Sequence, residues 1–133
     1  MKINIEQCPL PVTTNLTNLL QQEIEKSGQD ADDGLVLNFR DPGFGPESGG
    51  FHPVEVMVNS SGKLSYITDF AYCGGPFPEL VKEIDFDFQA GVFGHMGRDH
   101  PIEQGADLYS LWESNFVEYH RMGVYQVTVS SLS

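Results

Sequence analysis

This sequence is short of the features that usually announce a function. Lysine and arginine together number seven, against nineteen aspartates and glutamates. A field of that sign repels phosphate, so nucleic acid and anionic membranes are excluded as partners. Only two cysteines occur, Cys8 and Cys73, far apart in the chain. They are expected as reduced thiols rather than as a bridge. No run approaches the roughly 18 apolar residues of a membrane span, and the start, Met1-Lys2-Ile3-Asn4, lacks the apolar stretch of a secretion signal. A cytoplasmic location is expected. No Gly-Lys-Ser/Thr follows a glycine-rich loop, no Gly-x-Gly-x-x-Gly opens a helix, and no Gly-x-Ser-x-Gly elbow is present. The sequence therefore assigns no catalytic residue and no cofactor.

What is present is enough for one core. At 133 residues and 40% hydrophobic content, the expectation is a single domain spanning 1–133. Leu16, Leu19, Leu20 and Ile24 recur at helical spacing from Thr14 to Ser27, and Gly28 follows as a left-handed stop. The acidic run 29–34 reads as a loop. Leu35, Leu37 and Phe39 then alternate as a first strand, and the four glycines and two prolines of 41–50 form a long connection. Val54, Val56 and Val58 lead through a turn at 59–63 into Leu64–Tyr72, where Leu64, Tyr66, Phe70 and Tyr72 are assigned one face. After the breaker 73–78, Ile84, Phe86 and Phe88 alternate with Glu83, Asp85 and Asp87. Glu79–Lys82 is left open between strand and helical turn, Val92-Phe93 is a short strand, and 94–101 reads as a loop. Leu108, Leu111, Trp112, Phe116 and Tyr119 mark a second helix from about Ile102 to Met122, before a closing strand Val124–Ser130. Strands joined by turns rather than helices predict an α+β fold: a twisted antiparallel sheet of five to seven strands, with an N-terminal helix and a C-terminal-half helix on one face.

Three groups of residues are candidates for function. Glu83, Asp85 and Asp87 share one strand face about 7 Å apart, a spacing suited to lysines and arginines on a partner. Phe44, Phe51 and Phe77 lie in or beside the glycine-proline loops, where large rings serve as contact anchors. His52, Asp69 and Glu79 are grouped as a polar cleft in which a carboxylate acts as general base. The spacing of His95, His100 and His120 matches no zinc pattern, so no metal ligand is assigned. The charge around Cys73, with Asp69 and Glu79 nearby, is wrong for a reactive thiolate.

Several separate segments carry a resemblance: Leu37-Asn38-Phe39-Arg40-Asp41-Pro42, the run from Glu47 to Glu55, Tyr66–Phe70 with Gly74–Leu80, and Met122–Val127. Together they resemble an uncharacterised bacterial family, domain of unknown function 2787, some of whose members lie on pathogenicity islands. That family is similar in structure to the acidic mitochondrial matrix protein family, whose human member also binds the globular heads of the first complement component. The resemblance implies a twisted antiparallel sheet flanked by helices and supplies no catalytic residues. A closing strand in place of a paired terminal helix departs from that ring-forming fold. The leading expectation is a non-enzymatic acidic module binding a basic protein or peptide, with homo-oligomer formation left open. The alternatives are a small hydrolase-like enzyme at the polar cleft and an accessory factor of a mobile element acting on a host.

Overall fold

A computed structural model describes residues 2–29 and 33–132, so the centre of the acidic loop predicted over 29–34 lies outside the described residues. The order is α1 (Thr14–Ser27), β1 (Leu35–Arg40), β2 (Val54–Val58), β3 (Leu64–Cys73), β4 (Glu79–Asp87), β5 (Val92–His95), β6 (Arg98–Pro101), a short 3-10 turn (Ile102–Gly105), α2 (Ala106–Arg121) and β7 (Gln126–Ser131). Seven strands form one antiparallel sheet in the order β6-β5-β4-β3-β2-β1-β7. Six of them meander, and α2 carries the chain back across the sheet to lay β7 against β1.

Period-two burial explains the sheet's two faces. Leu35, Leu37 and Phe39 pair with Val58, Val56 and Val54, and all six are buried. Ile67, Phe86 and Phe93 continue this face, which both helices cover. Helix α1 contributes Leu16, Leu19, Leu20 and Ile24 and stops at Gly28, which takes the left-handed conformation expected of it. Helix α2 contributes Tyr109, Trp112 and Phe116, with Phe116 edge-on to Phe39 and Tyr109 edge-on to Phe86. A buried carboxylate, Glu113, ties the helices together. It accepts from the Tyr109 hydroxyl at 2.5 Å, from the Thr13 amide at 3.1 Å and from the Thr13 hydroxyl, so the residue before α1 is bound to α2.

The expected fold class stands, with local corrections. The second helix begins at Ala106, and its buried stripe runs through Tyr109 and Glu113, leaving Leu111 61% exposed. Glu79–Lys82 is strand. The predicted loop 94–101 is instead a hairpin in which Met96 and Gly97 occupy the turn with φ of 52° and 80°. Both angles suit a tight hairpin turn, but methionine gives no sequence signal for one. In β3 the pairing slips: Met57 faces Tyr66 while Val58 faces Leu64, leaving Ser65 as an extra residue. That bulge puts Leu64 on the core face and Tyr66 on the open face, against the expectation that they share one.

Candidate functional site

A second bulge builds the site. Asp69 pairs with Ile84 and Phe70 with Lys82, so Glu83 is the extra residue of β4. A bulged residue points to the side that strict alternation denies it. Glu83 accordingly leaves the face of Asp85 and Asp87, and its carboxylate reaches His52 on the helix-covered side. The imidazole Nδ1 of His52 lies 2.9 Å from Asp69 Oδ1 and 2.9 Å from Glu83 Oε2. The other oxygen of Asp69 accepts from the indole N–H of Trp112 at 2.9 Å. Carboxylates from two strands thus converge on one nitrogen of a loop histidine, and the helix holds one of those carboxylates by its other oxygen.

The glycine-proline loop holds His52 in place through Asp41. Its two oxygens accept from the amides of Gly43 at 2.8 Å and Phe51 at 3.0 Å, closing the loop on itself. Those amide donors hold the Asp41 carboxyl below its ordinary value. Gly50 allows this closure: its φ is 110°, and a Cβ there would sit 2.8 Å from Asp41 Oδ2. Phe51 leaves the loop to pack on Tyr119 of α2 at 4.6 Å, and Phe44 meets the His52 ring edge-on at 5.5 Å.

The resulting cleft has a volume of about 400 Å³ and is lined by Phe51, His52, Asp69, Glu83, Trp112, Asn115, Tyr119 and Tyr125, among others. Tyr125 at its base has its hydroxyl pKa raised, first by burial and then by the nearby charge of Asp69. Among the described residues, His52, Asp69 and Glu83 form the one group of three whose ligand atoms, all within 4.8 Å of one another, can hold a metal ion. A wider depression of about 600 Å³ between α1 and α2 is lined largely by amides, including Asn15, Asn18, Gln21 and Gln22. It lacks the cleft's convergence.

Of the cleft residues grouped from sequence, His52 and Asp69 do meet. Glu79 does not: it is exposed and pairs with Cys73 at the far end of β4, and Glu83 takes its place. Asp41, Trp112, Tyr119 and Tyr125 were not foreseen as neighbours of the site. Asp-x-Gly with a later glycine signals a turn, but not which histidine the turn will position.

The open face of the sheet is a second region. Here Asp85 accepts from the Thr68 hydroxyl at 2.6 Å, and Glu55 accepts from Tyr66 at 2.5 Å. Burial, then the bond to Glu55, raises the Tyr66 hydroxyl pKa. Asp87 is paired opposite Tyr66. Beyond the last β2–β3 pair, Val54–Asp69, and the last β4–β5 pair, Ile84–His95, the β3–β4 hairpin continues alone to Cys73–Glu79. This projecting ribbon carries Tyr72, Leu80 and Val81 as exposed apolar side chains, and Phe77 at its tip is 87% exposed. Phe44 stacks on Tyr72 at 5.3 Å, so Phe44 bridges ribbon and cleft. His95 and His100 flank Phe93 in the β5–β6 hairpin, while His120 sits 3.8 Å from Glu23 between the helices. Both cysteines are free.

Fold and site together define an α+β protein with a helix-backed antiparallel sheet and a polar cleft at one end of its covered face. The chain belongs to the family described as "Protein of unknown function (DUF2787)", whose model matches residues 14–130. Two solved structures from Vibrio cholerae are similar to it. One is a hypothetical protein from the VSP-II pathogenicity island, 39% identical, with a TM-score of 0.81 over 92% of this chain and 96% of that one. The other is a conserved hypothetical protein from pathogenicity island VPI-2, 36% identical, with a TM-score of 0.80 over 92% and 97%; it is described as sharing structural homology with the human P32 protein. No curated protein matches the chain. No helix among the described residues is long and apolar enough to cross a membrane.

Proposed function

We propose that this protein is a non-enzymatic interaction module that binds a basic protein or peptide on the open face of its sheet. The observation that carries the reading is the acidic side chains Glu55, Asp85 and Asp87 on the face no helix covers, beside a ribbon ending in an exposed Phe77. In a chain of net charge −12, complementary charge steers a cationic partner to such a face, and the aromatic tip supplies an apolar anchor. The pathogenicity-island setting of the two Vibrio proteins supports a role as an accessory factor of a mobile element that captures a host or phage protein. The test is capture from the native host at low salt, followed by titration of the captured partner against a variant carrying Glu55→Gln, Asp85→Asn and Asp87→Asn. Binding should weaken by about tenfold or more in the variant and fall steeply with salt. A partner whose affinity ignores both changes sinks the reading.

A second reading is favoured by the convergence of His52, Asp69 and Glu83: a small hydrolase in which a carboxylate serves as general base. Hydrolysis of activated ester or phosphoester substrates that disappears in Glu83→Gln and survives Glu79→Gln is its expected signature. Turnover unchanged by Glu83→Gln removes it.

A further inference from the structure

The geometry points to His52, Asp69 and Glu83 as a binding site for one divalent first-row metal ion such as Mn²⁺ or Zn²⁺. The inference rests on the cleft alone, independently of the basic-partner reading and of any hydrolytic activity.

One nitrogen carries one hydrogen. Nδ1 of His52 nevertheless has carboxylate oxygens at 2.9 Å from two different residues, and a single N–H cannot point well at both. A cation placed among the three atoms satisfies them together. Metal bonds to imidazole nitrogen and carboxylate oxygen run at about 2.1 Å, and two ligands at a right angle on such an ion stand about 3.0 Å apart. The observed nitrogen-to-oxygen distances match that edge. With the imidazole neutral, the two carboxylates leave two negative charges side by side, which a divalent ion cancels and a proton does not.

The surroundings fit as well. Asp69 is held by its far oxygen to the Trp112 indole, so Oδ1 is turned toward His52, in the manner of outer groups that orient metal ligands. His52 is placed from the other side by the loop that Asp41 closes. Three protein ligands beside an open cleft of about 400 Å³ leave coordination positions for water or for a ligand. The mixed donor set selects the class of ion. An imidazole favours first-row transition metals over Ca²⁺ and Mg²⁺, and the absence of thiolate disfavours Cu⁺.

Protein stripped with chelator is titrated with Mn²⁺, followed by electron paramagnetic resonance and by fluorescence. Trp112 is the only tryptophan of the chain and lies against Asp69, so a paramagnetic ion in the site quenches its emission. The expected result is one Mn²⁺ per chain with quenching, displaced by Zn²⁺ and not by equimolar Mg²⁺. Affinity should drop by about tenfold or more in His52→Ala and in Glu83→Gln. Both residues are partly exposed, with side-chain accessibilities of 40% and 35%, so these variants keep the fold, and far-ultraviolet circular dichroism checks that they do. Asp85→Asn and Glu79→Gln should bind Mn²⁺ as the parent does. Saturable binding that persists in His52→Ala, or is lost in Asp85→Asn, assigns the ion to the acidic surface and overturns the proposal. So does the absence of saturable binding below about millimolar Mn²⁺, far weaker than a built site of three ligands. Loss of basic-partner binding in the open-face variant leaves this outcome untouched, so the two proposals fail separately.

Discussion

The cleft and the open face draw on the same residue types and arrange them in opposite ways. On the open face, Asp85 and Asp87 are spaced by regular alternation, and each meets a hydroxyl-bearing residue opposite or bonds one outright. In the cleft, a single extra residue swings Glu83 to the other side, and two carboxylates close on one imidazole beneath Trp112 and Tyr119. Regular strands spread charge, and a bulge concentrates it. Concentrated charge is the arrangement that holds an ion or moves a proton, whereas spread charge meets another surface.

The comparison can be broken or sharpened by substitution. The cleft rests on the core, since Phe116 stacks on Trp112 at 4.9 Å and meets Phe39 at 4.9 Å. Phe116→Ala should therefore cost about 3–5 kcal/mol of stability in urea denaturation and collapse the cleft with it. Phenolic groups give a second contrast. Tyr66 on the open face, Tyr109 in the core and Tyr125 in the cleft all have raised pKa values, in each case through burial first. A raised folded-state pKa means that the stabilising contribution is complete below the ordinary tyrosine value of 10.0 and is lost as pH climbs past it. Ultraviolet titration should show Tyr66, Tyr109 and Tyr125 ionising late, together with alkaline unfolding. Three late tyrosines ionising without loss of near-ultraviolet dichroism contradict this assignment.

Acid should loosen the loop that places His52. The Asp41 carboxyl is held below its ordinary value of 3.8 by the Phe51 and Gly43 amides, so its contribution is present above that value and fades as pH falls through the lowered one. Asp41→Asn should loosen the loop at neutral pH, accelerating amide exchange at Gly43 and Phe51 while leaving β1–β2 exchange unchanged. Equal acceleration in the strands would mean that Asp41 supports the whole sheet. The smallest effect belongs to the ribbon tip. Phe77→Ala should change stability by no more than about 0.5 kcal/mol, yet weaken basic-partner binding measurably. A neutral result in both assays leaves Phe77 without a role and shifts the binding surface to the acids.

Much of the fold was legible. Helix α1 with its Gly28 stop, the alternation of β1, β2 and β4, and the closing strand follow from periodicity, because burial on one face requires it. Leu111 misled because an apolar residue at helical spacing can still face water, while Tyr109, with its hydroxyl bonded to Glu113, fills the core in its place. Within the site, the sequence groups His52 with Asp69, and the two do meet. Strict alternation sends Glu83 to the open face with Asp85 and Asp87, and only the bulge turns it to His52. A bulge is a fact of pairing between two strands, and neither strand records it alone.

By itself the sequence determined an acidic α+β protein with a helix-backed antiparallel sheet, because charge count and hydrophobic period are properties of the chain. Tertiary structure decided which carboxylates meet. The extra residues at Ser65 and Glu83, the closure of the loop by Asp41 onto Phe51 and the reach of Trp112 from α2 to Asp69 all depend on contacts between residues 6 to 43 positions apart. Such contacts are set by how strands register and helices dock, which local sequence constrains only weakly.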